Sequence, residues 1–383
     1  MNFIKKIYIF LIAIGFVAVI TFISISPFFF FNTSNVTNIQ IKLNFDEKNS
    51  YNHIRSQLDL GYRIPGTQAR EECALYFINE FKEIDENFTY YTHNFTINSV
   101  ACQNLLFKLN TNCSNIIILA AHYDSRAKAT KDEFNKSAPV PGANDGASGS
   151  AVLLDLARCL YQRRMNLSCQ IWFLFFDAED QGRDYGYGID GWDWCEGSKA
   201  FVQNINDYYN TIRENFDCMI LLDMVGGTGL KFINEQYSTS SLLSELFQTG
   251  RNLGYTNAFP VYPESNSVTD DHKAFLDYGI PSADLIINFW SNPSWPYHHT
   301  TQDNLSHISN QSLLITGRTI EQFIYNNYYN IDKSRNRGNY PWTTNYFFIQ
   351  TDLQIFLIIF LSLIGGIVVS ILIYKRYKPS KNL

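Results

Sequence analysis

The chain has 383 residues and a formal net charge of −6, with 46% hydrophobic and 16% aromatic residues. That acidic balance, together with the lack of any Lys/Arg run interleaved with aromatics in mid-chain, argues against a nucleic-acid partner. The length leaves room for two domains, but strongly apolar ends consume part of it, and the remainder has ample apolar material for one large core.

Residues 1–6, with Lys5 and Lys6, read as a cytoplasmic tail. From Ile7 to Phe31 only Tyr8, Thr21, Ser24 and Ser26 interrupt an apolar or small run. At 1.5 Å per residue it spans roughly 37 Å, enough to cross a hydrocarbon core of about 30 Å. No small-x-small cleavage site follows, so residues 7–31 read as an uncleaved anchor rather than a secretory signal. Residues 32–45 read as a polar linker.

A helix is expected over Gln68 to Ile84, where Ala74, Phe77, Ile78 and Phe81 recur at helical spacing. Strands are expected near Phe88 to Ile97 and Asn104 to Leu109. Ile116 to Ala121 and Gln170 to Phe176 are continuous apolar runs, the pattern of strands covered on both faces. Between them come a Pro/Gly-rich loop and a helix from about Gly146 to Arg163. Further strands are expected at Cys218 to Leu222 and Ala283 to Ile287, with helices near Ser240 to Leu253, Asp271 to Tyr278 and Ser312 to Asn327. This alternation indicates an α/β fold, a three-layer sandwich around a mixed, mostly parallel sheet. One domain over residues 32–345 would hold it.

Residues 355–373 form a second uncharged apolar span, followed by a basic tail over 374–383 with Lys375, Arg376, Lys378 and Lys381. A transmembrane helix is thus expected at each end, holding the chain in a lipid bilayer. Positive charge at both ends places both termini in the cytoplasm and the domain outside it. Asn-x-Ser/Thr sequons at Asn32, Asn35, Asn87, Asn94, Asn112, Asn135, Asn166, Asn304 and Asn310 agree with an exterior, glycosylated domain, although so Asn-rich a chain yields many by chance. The seven cysteines include no CxxC pair, which removes a structural thiolate metal site. Cys102 and Cys113 bracket an expected strand pair and are candidates for a disulfide in an oxidising compartment.

In such sheets, sites form from loops at the carboxyl ends of strands. Each buried run here ends in acids or histidine: His122 and Asp124, Asp177 with Glu179 and Asp180, and Asp223. Asp145 precedes a helix, and His298 and His299 lie in the loop after Ile287. So many imidazole and carboxylate groups aimed at one sheet edge are hard to explain structurally, because lone carboxylates there are costly to desolvate. Imidazole plus carboxylate without thiolate suits zinc.

These blocks resemble the zinc aminopeptidases of metallopeptidase clan MH and their relatives, the glutaminyl-peptide cyclotransferases. The resemblance runs in order from Arg63-Ile64-Pro65-Gly66-Thr67 through His122-Tyr123-Asp124-Ser125, Gly142 to Gly149, Phe176 to Asp180, Leu221-Leu222-Asp223 and His299 to Asn304. It implies that His122 and Asp223 hold one zinc, that Asp180 and His299 hold another, and that Asp145 bridges them. Asp124 would orient His122, and Glu179 would be the general base. The family usually has Glu-Glu where this chain has Glu179-Asp180.

Asp270-Asp271-His272 resembles the cyclotransferases and makes Asp270 a second candidate catalytic residue, although N-capping alone explains at least one of the two aspartates. His53, His93, His272 and His307 read as ordinary surface or core residues. Phe289, Trp290, Trp295, Tyr297 and His298 are candidates for lining the pocket, and His298 is also an alternative ligand to His299. The resemblance implies a zinc enzyme acting on peptide or protein N-termini. Hydrolysis by an aminopeptidase with two zinc ions is the favoured reading. The alternative is cyclisation of N-terminal glutamine with one zinc, and the third is a non-catalytic ectodomain.

Overall fold

A computed structural model describes residues 36–183, 188–329 and Trp342. Both expected anchors, the two tails and the sequons at Asn32 and Asn35 lie outside these residues. Among the described residues no helix is long and apolar enough to cross a membrane.

In chain order the helices are α1 (Glu47–Asp59), α2 (Gln68–Ile84), α3 (Ala147–Gln162), α4 (Glu196–Gln203), α5 (Ser240–Asn252), α6 (His272–Tyr278) and α7 (Asn310–Tyr328). The strands are β1 (Thr89–Ile97), β2 (Val100–Leu109), β3 (Asn115–His122), β4 (Gln170–Phe176), β5 (Asn215–Asp223), β6 (Asn234–Glu235), β7 (Ser265–Asn266) and β8 (Ser282–Ile286). Six of them form one sheet in the order β1-β2-β4-β3-β5-β8, and β6 and β7 pair separately. β1, β2 and β4 are antiparallel neighbours, whereas β4, β3, β5 and β8 run parallel. The β1–β2 hairpin turns through Asn98 and Ser99, both at positive φ, as a two-residue turn matched to strand twist demands.

Alternation along the strands divides the core into two. Ile117, Leu119 and Ala121 of β3 face the larger cluster with Phe77, Phe81, Leu153 and Ile320 from α2, α3 and α7. Ile116, Ile118 and Ala120 face the smaller one with Phe201 and Phe275 from α4 and α6. Helices thus cover both sheet faces, which is why β3 is apolar from Ile116 to Ala121 and β4 from Ile171 to Phe176. Phe81 sits at the centre of the larger cluster, stacked on Phe107 at 3.7 Å and meeting Phe88 edge-on at 4.9 Å. Phe81→Ala is expected to cost about 3–5 kcal/mol of stability. Urea unfolding checks this; a loss below about 1 kcal/mol would mean the ring is not a keystone.

Two sequence expectations are corrected. The segment before α1 is no loose linker: Val36 and Phe45 are buried, and Asn44 and Phe45 donate backbone N–H bonds to Glu321 of α7 at 2.9–3.0 Å. Asn38 and Ile39 likewise bond Asn326. No disulfide joins Cys102 and Cys113. Cys102 lies near one end of the ten-residue β2 and Cys113 beyond the other, tens of ångströms apart at about 3.3 Å rise per residue. α1 escaped prediction because three of its four buried residues, Ser50, His53 and Gln57, are polar and only Ile54 is apolar.

Candidate metal centre

The parallel strands deliver their carboxyl ends to one edge. β3 ends at His122, β5 at Asp223, and β4 at Phe176, three residues before Glu179. Asp145 enters from the loop before α3, and His299 from the long loop after β8, in the left-handed region at φ 57°. Ala178, at φ 60°, turns the chain after β4 so that Glu179 and Asp180 face the same cavity. α3 starts against the imidazole because residue 146 is glycine: a Cβ there would sit 2.6 Å from the His122 ring.

His122 Nε2 lies 3.1 Å from Asp145 Oδ1 and 3.2 Å from Asp223 Oδ1. His299 Nε2 lies 3.1 Å from Asp180 Oδ1 and 3.7 Å from Asp145 Oδ2. One oxygen of Asp145 therefore faces each imidazole, the disposition a bridging carboxylate requires. Asp124 touches His122 Nδ1 at 3.3 Å and accepts from the Glu179 and Asp180 backbone N–H groups and the Gln181 amide. It thereby fixes both the imidazole and the loop carrying the next two acids.

All these side chains are buried, and the acids outnumber the cations. Burial pushes the Glu179 carboxyl well above its ordinary range, against the pull of His122 and with the push of Asp270, Asp180 and Asp271. Burial and the charge of Asp223 raise Asp270 to about 7. Burial disfavours the His122 cation, yet Asp124, Asp145 and Asp223 outweigh it and hold its pKa well above the usual value. Asp180 Oδ2 is buried with no hydrogen-bond partner. Concentrated negative charge and an orphaned carboxylate oxygen are what a divalent cation would relieve. The donors, imidazole nitrogen and carboxylate oxygen, suit zinc, and two ligands on one tetrahedral zinc stand roughly 3.3 Å apart. The residues fit the ion.

The site residues reasoned from sequence, His122, Asp124, Asp145, Glu179, Asp180, Asp223, Asp270 and His299, all converge here. His298 also comes within ligand range of Asp145 and His299, but Lys131 donates to its Nδ1 at 2.8 Å. The neutral ring then carries its own proton on Nε2, so His299 is the better donor. Asp145, Glu179, Asp180, Asp223 and Asp270 line a pocket of about 320 Å³ with Trp194, Phe289, Trp290 and His298. Trp295 and Tyr297 do not line it. Trp295 is fully buried against Gly227, and Tyr297 stacks on His307 at 3.6 Å.

Asp271 occupies the N-cap position of α6 but makes no side-chain cap, so capping does not explain it; its carboxyl is buried beside Asp270. His272 is a buried partner of Glu235 at 3.0 Å. Sequence reasoning missed Arg126, Trp194, Cys195 and Asp303. Asp303 accepts the backbone N–H groups of Asn144 and Asp145 at 2.8 and 3.0 Å. Cys195 places its thiol 3.4 Å from Glu179 Oε1. Asp303 stood within the His299 to Asn304 string, a usable signal, whereas Trp194 lies in an insertion without pattern.

The model of peptidase family M28 matches residues 104–324, which carry every converging acid and histidine. The chain belongs to peptidase family M28. Over 218 residues it is 28% identical to aminopeptidase YwaD of Bacillus subtilis, a match that covers 55% of this chain and only 41% of YwaD. Over 280 residues it is 22% identical to the glutaminyl-peptide cyclotransferase of Drosophila melanogaster, covering 66% of this chain and 74% of that protein. The glutaminyl cyclase of Bacteroides thetaiotaomicron superposes with a TM-score of 0.66 at 29% identity, covering 76% of this chain and 99% of that one. M28 enzymes are zinc-dependent, and His122, Asp145 and Asp223 of this chain lie close enough to hold one metal ion; among its relatives are both aminopeptidases and cyclotransferases.

Proposed function

We propose that this chain is a zinc-dependent glutaminyl-peptide cyclotransferase, with cyclisation preferred over hydrolysis. The observation that carries this reading is Asp270. It is buried, hydrogen-bonded to Asp223, and within 4.8 Å of Glu179 and Cys195. With Asp223 shared with the Asp270 carboxyl, Asp145, Asp180 and His299 are the set assigned to a single zinc.

Zinc bound by Asp145, Asp180 and His299 would polarise the side-chain carbonyl of an N-terminal glutamine. Glu179 takes a proton from the α-amine as its nitrogen bonds to the amide carbon. It returns that proton to the departing nitrogen, which leaves as ammonia. Asp270, linked to Asp223, supports Glu179 with a second acid at the same wall. Trp194, Phe289 and Trp290 exclude the water that would compete as nucleophile.

Hydrolysis remains the second reading because the two oxygens of Asp145 face different imidazoles, which suits two ions. Peptides beginning with Gln, Leu or Ala, incubated with the zinc-loaded full chain and weighed by mass spectrometry, separate the two. Ammonia loss from the Gln peptide alone is expected. Removal of Leu or Ala would reverse the order, and unchanged peptides would sink both. The wider setting is part of the proposal: a catalytic domain over residues 32–345, anchored by 7–31 and 355–373, with cytoplasmic ends and an exterior site acting on peptide or protein N-termini. The apolar runs with basic flanks support it. So does the placement of all the described sequon asparagines at exposed or half-buried positions.

A further inference from the structure

We propose that Arg126 is a positioning residue that fixes the Asp180 carboxylate in the pose it needs to hold zinc. The inference rests on the zinc site described above and concerns how this chain keeps affinity with Asp at position 180.

Arg126 is 1% exposed, and every nitrogen of its guanidinium donates a hydrogen bond. Nη1 donates to both the backbone carbonyl and Oδ1 of Asp180, at 2.9 and 3.1 Å. Nη2 donates to the Gly182 carbonyl at 3.0 Å, and Nε reaches Thr130 Oγ1 at 3.3 Å. Main chain and side chain of Asp180 are thus gripped by one rigid fork. The oxygen held in this way, Oδ1, is also the one 3.1 Å from His299 Nε2, and the other, Oδ2, is buried without a partner.

The grip extends to the opposite ligand. The guanidinium lies over the Trp194 ring at 4.7 Å, and that ring stacks on His299 at 5.7 Å with an interplanar angle of 8°. Arg126, Trp194 and His299 form a column beside the Asp180–His299 contact. The Arg126 bond to the Asp180 carbonyl fixes the backbone from which the ligating carboxylate projects. The guanidinium also offsets negative charge where burial makes it expensive. Trp194 prevents the His299 ring from turning away.

Zinc affinity of the full chain, measured by competition with a chromogenic chelator, tests the proposal through a readout other than turnover. Arg126→Gln is expected to bind zinc about 10–100-fold more weakly than the unaltered chain, the usual cost of losing a partner of a ligand. Arg126→Lys, which keeps the charge but loses the fork and the flat face, should recover only a small part of that loss. Wild-type affinity in the Gln variant overturns the proposal. If the Gln variant fails to melt cooperatively without metal, the Lys variant decides, and wild-type affinity there overturns it. An unaltered chain that takes up no zinc would instead remove the metal reading itself.

Discussion

Glu179→Gln is expected to lower turnover by about 10²–10⁴-fold while leaving bound zinc unchanged, the span that a positioned acid–base group contributes. The substitution keeps the shape of the side chain and the Glu179 N–H bond to Asp124, but the amide cannot accept and return a proton. Glu179 is buried at the cavity wall, and its carboxylate comes no closer than 3.9 Å to His122 Nδ1, so ligand geometry does not depend on it. Metal analysis and rates on one preparation check both halves. Activity within tenfold of the parent would remove Glu179 as the base, and loss of zinc would make it a ligand instead.

Asp145→Asn is expected to remove zinc binding, by more than about 100-fold in affinity, and with it all measurable activity. The tighter of the two imidazole approaches is 3.1 Å, and each of its two oxygens faces one ring. A carboxamide keeps one weak acceptor and turns an N–H₂ group toward one imidazole, so at least one contact becomes donor against donor or loses its charge. The loop itself should survive, because its backbone N–H groups are held by Asp303 rather than by the Asp145 side chain. Zinc content after gel filtration, beside a thermal melt of the metal-free chain, separates ligand loss from unfolding. Full zinc occupancy in the variant would show that Asp145 is no ligand.

The parallel half of the fold was legible because its strands lie between two helical layers. Burial on both faces leaves no polar position in Gln170 to Phe176 after its first residue, so the run stood out with the bounds it has in the structure. α2 was equally plain, its buried Ala74, Phe77, Ile78 and Phe81 drawing an apolar stripe. α1 was not, since a helix lying on other helices can bury polar residues such as Ser50 and Gln57. Gln57, for instance, donates to the Ala147 carbonyl.

The charged members of the site were legible for a similar reason. An acid or histidine directly after a buried strand has few roles other than chemistry. Its supports were silent. Arg126 and Trp194 act through a stacked column whose pieces lie far apart in the chain, and no spacing announces it. The N-capping expectation for Asp271 failed because a local sequence rule cannot see that the carboxyl is sealed between Asp270 and Ser198.

The clasp between the stretch before α1 and α7 fixes where the two described ends of the domain meet the sheet. Tyr328 and Tyr329 at the end of α7 meet Leu167 and Ser168, just ahead of the first residue of β4. Asn38 holds Asn326 at 3.0 Å nearby. Chain entry and exit thus share the rim where β4 begins, and the cavity opens where β4 finishes, about 20 Å away along seven residues. Residues 36–39 and 326–329 therefore lie toward the opposite end of β4 from the donor set.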